Sequence, residues 1–405
     1  MHKEFVTGLL IAGLALTAST GRAQDQSDCK PAPTNVGNNR FPCIHADGRV
    51  TFQVKAPLAQ KVQISPAAGR ADNNGVSGLG QGPYDMTKDA NGVWSVTTPP
   101  ARPGLHEYVM LIDGARVADP NGEVFDILNG RNSAIEVPDP NFDVIQIKDV
   151  PHGEVRYNWY FSKVTKKWRD VLVYTPPDYE TSPAKRYPVL YLMHGGGEDE
   201  TDWFREGHAN FMLDNLIAAG KAKPMLIVMD TFQAERAVPL VNQPAVHQAP
   251  GGGPARPEPN TAIEEVIVKD TLPFIDSHFR TIANSDHRAI AGLSGGSNFA
   301  LTVGGYNIDK FSYIGLFSRA PYSEFDLKTA FNGEFTRPEE FNRKVHLFYW
   351  NTGTAEPDIF KYAHATTEAL NKMGIKTVLK EEPGFIHEWA TWRRALNDFA
   401  PRLFK

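Results

Sequence analysis

From Val50 onward, apolar and polar positions alternate in short runs: Val50, Phe52 and Val54; Val62 and Ile64; Trp94 and Val96; Tyr108, Met110 and Ile112. A period of two predicts strands with one buried face. Turn formers punctuate the runs at Asn73-Asn74-Gly75, Asn91-Gly92, Pro103-Gly104 and Asp113-Gly114. Many short strands with regular turn signals predict a small β-sandwich over residues 41–138. Val137-Pro138-Asp139-Pro140 and Val150-Pro151 mark its exit, with a linker over 139–151.

The pattern then changes period. Tyr187–Met193, Met225–Met229, Ala289–Ala291 and Val345–Trp350 are nearly unbroken apolar runs. Strands of a parallel sheet covered on both faces read this way. Helical segments are expected at about 207–219, 262–279, 297–305, 359–372 and 389–404, with a further strand near 376–380. This alternation predicts an α/β fold with a doubly wound parallel sheet over 152–405. Ligands in such folds meet the carboxyl ends of the strands, so chemistry is sought just after them. Residues 233–261, rich in Gly, Pro and Ala, read as a surface insertion or as a flap over the site.

Residues 1–23 have the plan of a secretory signal: His2-Lys3, an apolar stretch from Phe5 to Ala18, then Gly21-Arg22-Ala23 before a cleavage point. A polar leader follows over 24–40. The protein is expected outside the cell or in the periplasm, where Cys29 and Cys43, the two cysteines of the chain, can form a disulfide. A net charge of −5 over 405 residues gives no reason to expect nucleic acid or an anionic membrane as partner.

The candidate chemistry centres on Gly292-Leu293-Ser294-Gly295-Gly296, which follows an apolar strand and precedes a helix. This is Gly-x-Ser-x-Gly, the spacing of a nucleophile elbow. The tight turn needs small residues two before and two after the serine, and it lifts the hydroxyl above the sheet. A base is sought downstream. His346 falls inside an apolar run and His364 in mid-helix, whereas His387 stands in a loop between a strand and the last helix. His387 is therefore assigned as general base. The acid lies past the strand ending near Trp350, where Glu356 and Asp358 are available. Glu356 is preferred because it is nearer the strand end, and either residue can instead cap the following helix. His194-Gly195-Gly196-Gly197 follows another strand, so Gly196 N–H and Gly295 N–H are the expected oxyanion donors. Trp203 and Phe204 either wall an acyl or sugar pocket or pack in the core, and Trp203 is the candidate substrate contact. No metal-spaced Cys/His set, phosphate loop or dinucleotide fingerprint occurs, so no cofactor is expected.

Arg169–Pro177, Tyr187–Gly197, the serine elbow, and His387-Glu388-Trp389 with Trp392-Arg393 together resemble carbohydrate esterase family 1. That is the feruloyl and acetyl-xylan esterase type, related to enterochelin esterases and antigen 85 mycolyltransferases. Phe52-x-Val54-x-Ala56-Pro57, Asp113-Gly114 and Asp119-Pro120-Asn121 resemble an early-set immunoglobulin-like domain similar to glycogen-branching-enzyme carbohydrate modules. The resemblance implies an α/β-hydrolase that cleaves feruloyl or acetyl esters on plant cell-wall polysaccharide. A siderophore triester is the alternative substrate, and a glycan-binding protein with an idle hydrolase domain the alternative class. The chain departs from the family pattern at Gly295, where Met is frequent, at Phe385-Ile386, where glycines are frequent, and at Glu356, where Asp is usual.

Overall fold

The computed structural model describes residues 28–66, 77–127, 130–234, 262–320 and 326–405. The signal segment and nearly all of the 233–261 insertion lie outside the described residues. The alternating runs of the first half form two antiparallel sheets. One has five strands, with Val50–Lys55 between Cys43–Ile44 and Val93–Thr97. The other has six, centred on Gly104–Ile112 and Gly130–Val137. Phe52, Val54, Ile64, Trp94, Tyr108, Met110 and Ile135 fill the space between them. Cys29 and Cys43 are joined in a disulfide at the start of the first sheet.

The second half holds an eight-stranded sheet: β1 (Glu154–Phe161), β2 (Trp168–Thr175), β3 (Val189–Met193), β4 (Leu226–Asp230), β5 (Arg288–Leu293), β6 (Tyr313–Phe317), β7 (Leu347–Gly353) and β8 (Val378–Glu382). Their spatial order is β1-β2-β4-β3-β5-β6-β7-β8. The sheet is mixed rather than wholly parallel, because β1 and β2 form an antiparallel hairpin and β2 runs antiparallel to β4. The six strands from β3 to β8 are parallel. Helices α1 (Ala209–Ala218), α2 (Ser294–Tyr306), α3 (Pro357–Lys372) and α4 (Trp389–Phe399) are among those packed on the sheet.

The two halves share a core. Leu105, Phe125 and Ala134 of the sandwich pack in one apolar cluster with Leu192, Trp389, Trp392 and Phe399. Polar ties reinforce the seam. The buried Arg393 guanidinium donates two bonds to the Glu136 carboxylate, at 3.0 and 2.9 Å, and another to Glu206 O. Arg394 pairs with Asp139. Arg102 donates to Gly384 O at 3.3 Å, and His106 lies 3.6 Å from the buried Glu388 carboxylate. The 139–151 connection is also held down, since the Asn215 amide donates to Val144 O and Gln146 O.

Candidate active site

β5 ends in an apolar run and the chain must then turn sharply into α2. Ser294 takes that turn at φ +47°, the left-handed region that a side chain adopts only under constraint from its surroundings. The flanking glycines are sterically required. A Cβ on Gly292 would stand 2.5 Å from the Gly296 carbonyl, and one on Gly296 would strike His194 O. The elbow is thus wedged between its own next turn and the end of β3.

His387 and Glu356 meet this serine. His387 Nε2 is 2.8 Å from Ser294 Oγ, and Nδ1 is 2.6 Å from Glu356 Oε1. With the proton on Nδ1, the ring donates to the carboxylate and accepts the serine hydroxyl. Glu356 is buried, and its second oxygen accepts Gly353 N–H at 2.6 Å and Ser318 O–H at 3.0 Å. One oxygen is therefore anchored while the other faces the imidazole. Trp392 packs edge-on against the His387 ring at 5.0 Å. Asp358 stands in the first turn of α3, where its charge complements the positive end of the helix dipole. This set can carry nucleophilic acyl transfer: a hydroxyl, a base to take its proton, and a fixed carboxylate to orient and stabilise the base.

The glycine loop after β3 lies against the elbow. A Cβ on Gly295 would be 3.1 Å from Gly196 N and 3.7 Å from Phe232 Cζ. The bare backbone at 295 leaves the Gly196 amide uncrowded. Gly195 N–H donates to Glu198 at 2.6 Å, which pins the loop. The His194 ring stacks on Phe232 at 4.3 Å, and burial holds its pKa below the usual range, so it stays neutral.

Trp203 does not line the site. It is 1% exposed, donates its indole N–H to Met193 O at 2.9 Å and packs against Phe317 and Trp389. Placing it as a substrate contact is corrected: the indole is core beneath the strand ends, where an apolar ring with a satisfied N–H is stable. Phe204 is partly buried on the same cluster. His346 precedes β7 rather than lying within it, half-exposed and 2.9 Å from Asp286. His364 pairs with Glu381 on the surface.

Sequence reasoning missed a cavity that reaches the elbow through Phe232, beside Gly295. This cavity of about 640 Å³ is lined by Trp168, Asp170, Asp199, Glu200, Phe232 and Phe299, among others. Burial, with Asp170 and Asp199 nearby, pushes the Glu200 carboxyl up to about 7. Burial and Glu198 raise Asp202 to about 8. Lys167 and Arg169 also border the cavity, but the Arg169 guanidinium is committed to Asp230 and the Gln233 carbonyl. Among the described residues no group of three His, Cys, Asp or Glu side chains is poised to hold a metal ion. None of the described helices is long and apolar enough to cross a membrane.

Residues 162–403 match the family model described as putative esterase. Across 393 residues the chain is 32% identical to an endo-1,4-beta-xylanase/feruloyl esterase of Xylanibacter ruminicola, covering 96% of this chain and 49% of that protein. The chain spans about half the length, or less, of the curated relatives it matches. A solved ferulic acid esterase from Anaeromyces mucronatus superposes with a TM-score of 0.53 at 21% identity, covering 64% of this chain and 93% of that one. The enterobactin esterase of Shigella flexneri superposes with a TM-score of 0.58 at 18% identity, over 87% and 92% respectively. At these identities the two structures speak for the fold alone.

Proposed function

Because this chain belongs to the putative esterase family, we propose that it is a serine carboxylic-ester hydrolase that removes feruloyl or acetyl groups from plant cell-wall xylan. The observation that carries the mechanism is the hydrogen-bonded line from Ser294 through His387 to Glu356. Ser294 Oγ attacks the ester carbonyl while His387 Nε2 takes its proton. Glu356 stabilises the resulting imidazolium. The tetrahedral oxyanion is met by the N–H groups of Gly196 and Gly295. Collapse expels the sugar alcohol, with His387 returning the proton, and leaves an acyl-enzyme. Water, activated by the same histidine, then releases the acid.

The substrate rests on the likeness to the xylanase/feruloyl esterase over nearly the whole chain. A catecholate siderophore is strongly anionic, and the carboxylates of Asp170 and Asp199 on the cavity wall disfavour it. Export through the 1–23 signal, with cleavage near Ala23, belongs to the same reading, and the Cys29–Cys43 disulfide supports an oxidising destination.

The test compares the purified protein and its Ser294→Ala variant on aryl acetate, methyl ferulate, acetylated xylan and a catecholate triester. Turnover of the first three is expected, with a loss of about 10⁴-fold or more in the variant. Activity surviving in Ser294→Ala rejects the nucleophile. Preference for the catecholate rejects the cell-wall reading.

A further inference from the structure

β1 is an edge strand, and edge strands in natural proteins are blunted by charge, Pro or cover. This one carries aromatics instead. Tyr157, Trp159 and Phe161 alternate along it, so all three project from one face. They are 57%, 61% and 48% exposed, and Trp168, the cross-strand partner of Phe161, is 66% exposed. The Phe161 and Trp168 rings meet edge to face at 5.8 Å. The other large exposed hydrophobics among the described residues are dispersed: Val36, Leu58, Val117, Ile147 and Tyr306. A contiguous exposed aromatic surface marks a place of interaction.

We propose that this aromatic ribbon is a docking platform for the neutral sugar backbone of the polysaccharide whose ester the serine cleaves. The inference rests on the esterase reading and extends it to the part of the substrate that does not react. Two observations choose the occupant. The ribbon is continuous with the cavity beside the elbow: Asp170 stands directly across from Trp159, and both Asp170 and Trp168 line the cavity, which Phe232, beside Gly295, also lines. The spacing also fits an extended chain. Successive rings on one face of a strand stand about 7 Å apart, so Tyr157 to Phe161 spans about 13 Å. Several sugar rings in line can lay their C–H faces on such a row.

The Trp159→Ala/Phe161→Ala double variant separates docking from chemistry. Both positions are on the ribbon and neither lines the cavity. The variant is expected to hydrolyse methyl ferulate at the wild-type kcat/KM, which also reports its folding. Its KM for feruloylated arabinoxylan should rise about tenfold or more, with kcat little changed. Equal losses on both substrates, or none on the polymer, overturn the proposal. Wild-type protein should also be retarded by soluble unsubstituted xylan in an electrophoresis gel and the variant should not. That second readout stands even if the wild type hydrolyses no feruloyl or acetyl ester, so failure of the platform and failure of the esterase reading are distinguishable. A wild-type dimer that the variant converts to monomer, with unchanged retardation, assigns the ribbon to a second copy and overturns the proposal.

Discussion

At position 356 the two oxygens of one carboxylate have different tasks. Oε2 is tied to Gly353 N–H and Ser318 O–H, which fixes the group, and Oε1 is left for His387. Asp358, two residues on, has no part in this geometry and lies in the first helical turn. Glu356→Gln should therefore lower kcat about 10⁴-fold, as expected when the orienting acid is replaced by its amide. Asp358→Asn should leave kcat near wild type. Steady-state kinetics on an aryl acetate decide between the two carboxylates. The departure from Asp to Glu at 356 has a physical reading: the longer side chain reaches His387 while remaining anchored to the turn that ends β7. The Ser318 support was not legible in the sequence, because it stands at the end of a strand that was itself not recognised.

Among the elements, the legible ones were those whose pattern matched their environment. β3, β4, β5 and β7 are apolar on both faces and read as buried parallel strands. β6 escaped notice because Gly315 sits at its centre, a residue that strand patterns do not favour. Packing requires that glycine, since a Cβ there would be 2.9 Å from Ala291 Cβ and Phe399 Cζ. The β1–β2 hairpin was missed for the opposite reason: its aromatic face is exposed, so alternation did not separate core from solvent. Trp203 was ambiguous for want of its partner, Met193 O, which only the fold supplies. The acidic segment after the glycine loop has a measurable consequence. Glu200 keeps its proton up to about pH 7 in the folded chain but ionises near 4.5 when unfolded; for Asp202 the values are about 8 and 3.8. Between each pair of values the native state binds a proton that the unfolded chain has lost, so stability falls as pH rises. Urea midpoints of the wild type should decline from about pH 4.5 to 8. The decline should be shallower in Glu200→Gln between about pH 4.5 and 7, where the variant gains on wild type.

For the whole molecule, the seam between sandwich and hydrolase is the decisive feature. Arg393 and Glu136 are both buried, so removing one partner strands a charge. Glu136→Ala should cost about 3–5 kcal/mol of stability, measured by urea unfolding. Glu136→Met/Arg393→Met, which removes both charges, should recover most of it. The fold was legible at this scale as two successive units, but their shared core was not, because each unit's pattern looked complete in itself. The same seam grips the histidine loop on both sides: Arg102 holds Gly384 before His387, while His106 faces Glu388 and Glu136 holds Arg393 after it. The boundary of the esterase family match and the boundary of what supports the histidine therefore differ. The stretch matched by the esterase family model begins at 162, yet the hold on the His387 loop comes from residues 102 to 139. Trading the sandwich for an unrelated module, as domain shuffling or enzyme engineering would, leaves the serine in place and the histidine unsupported; a workable exchange must carry both sides of the seam together.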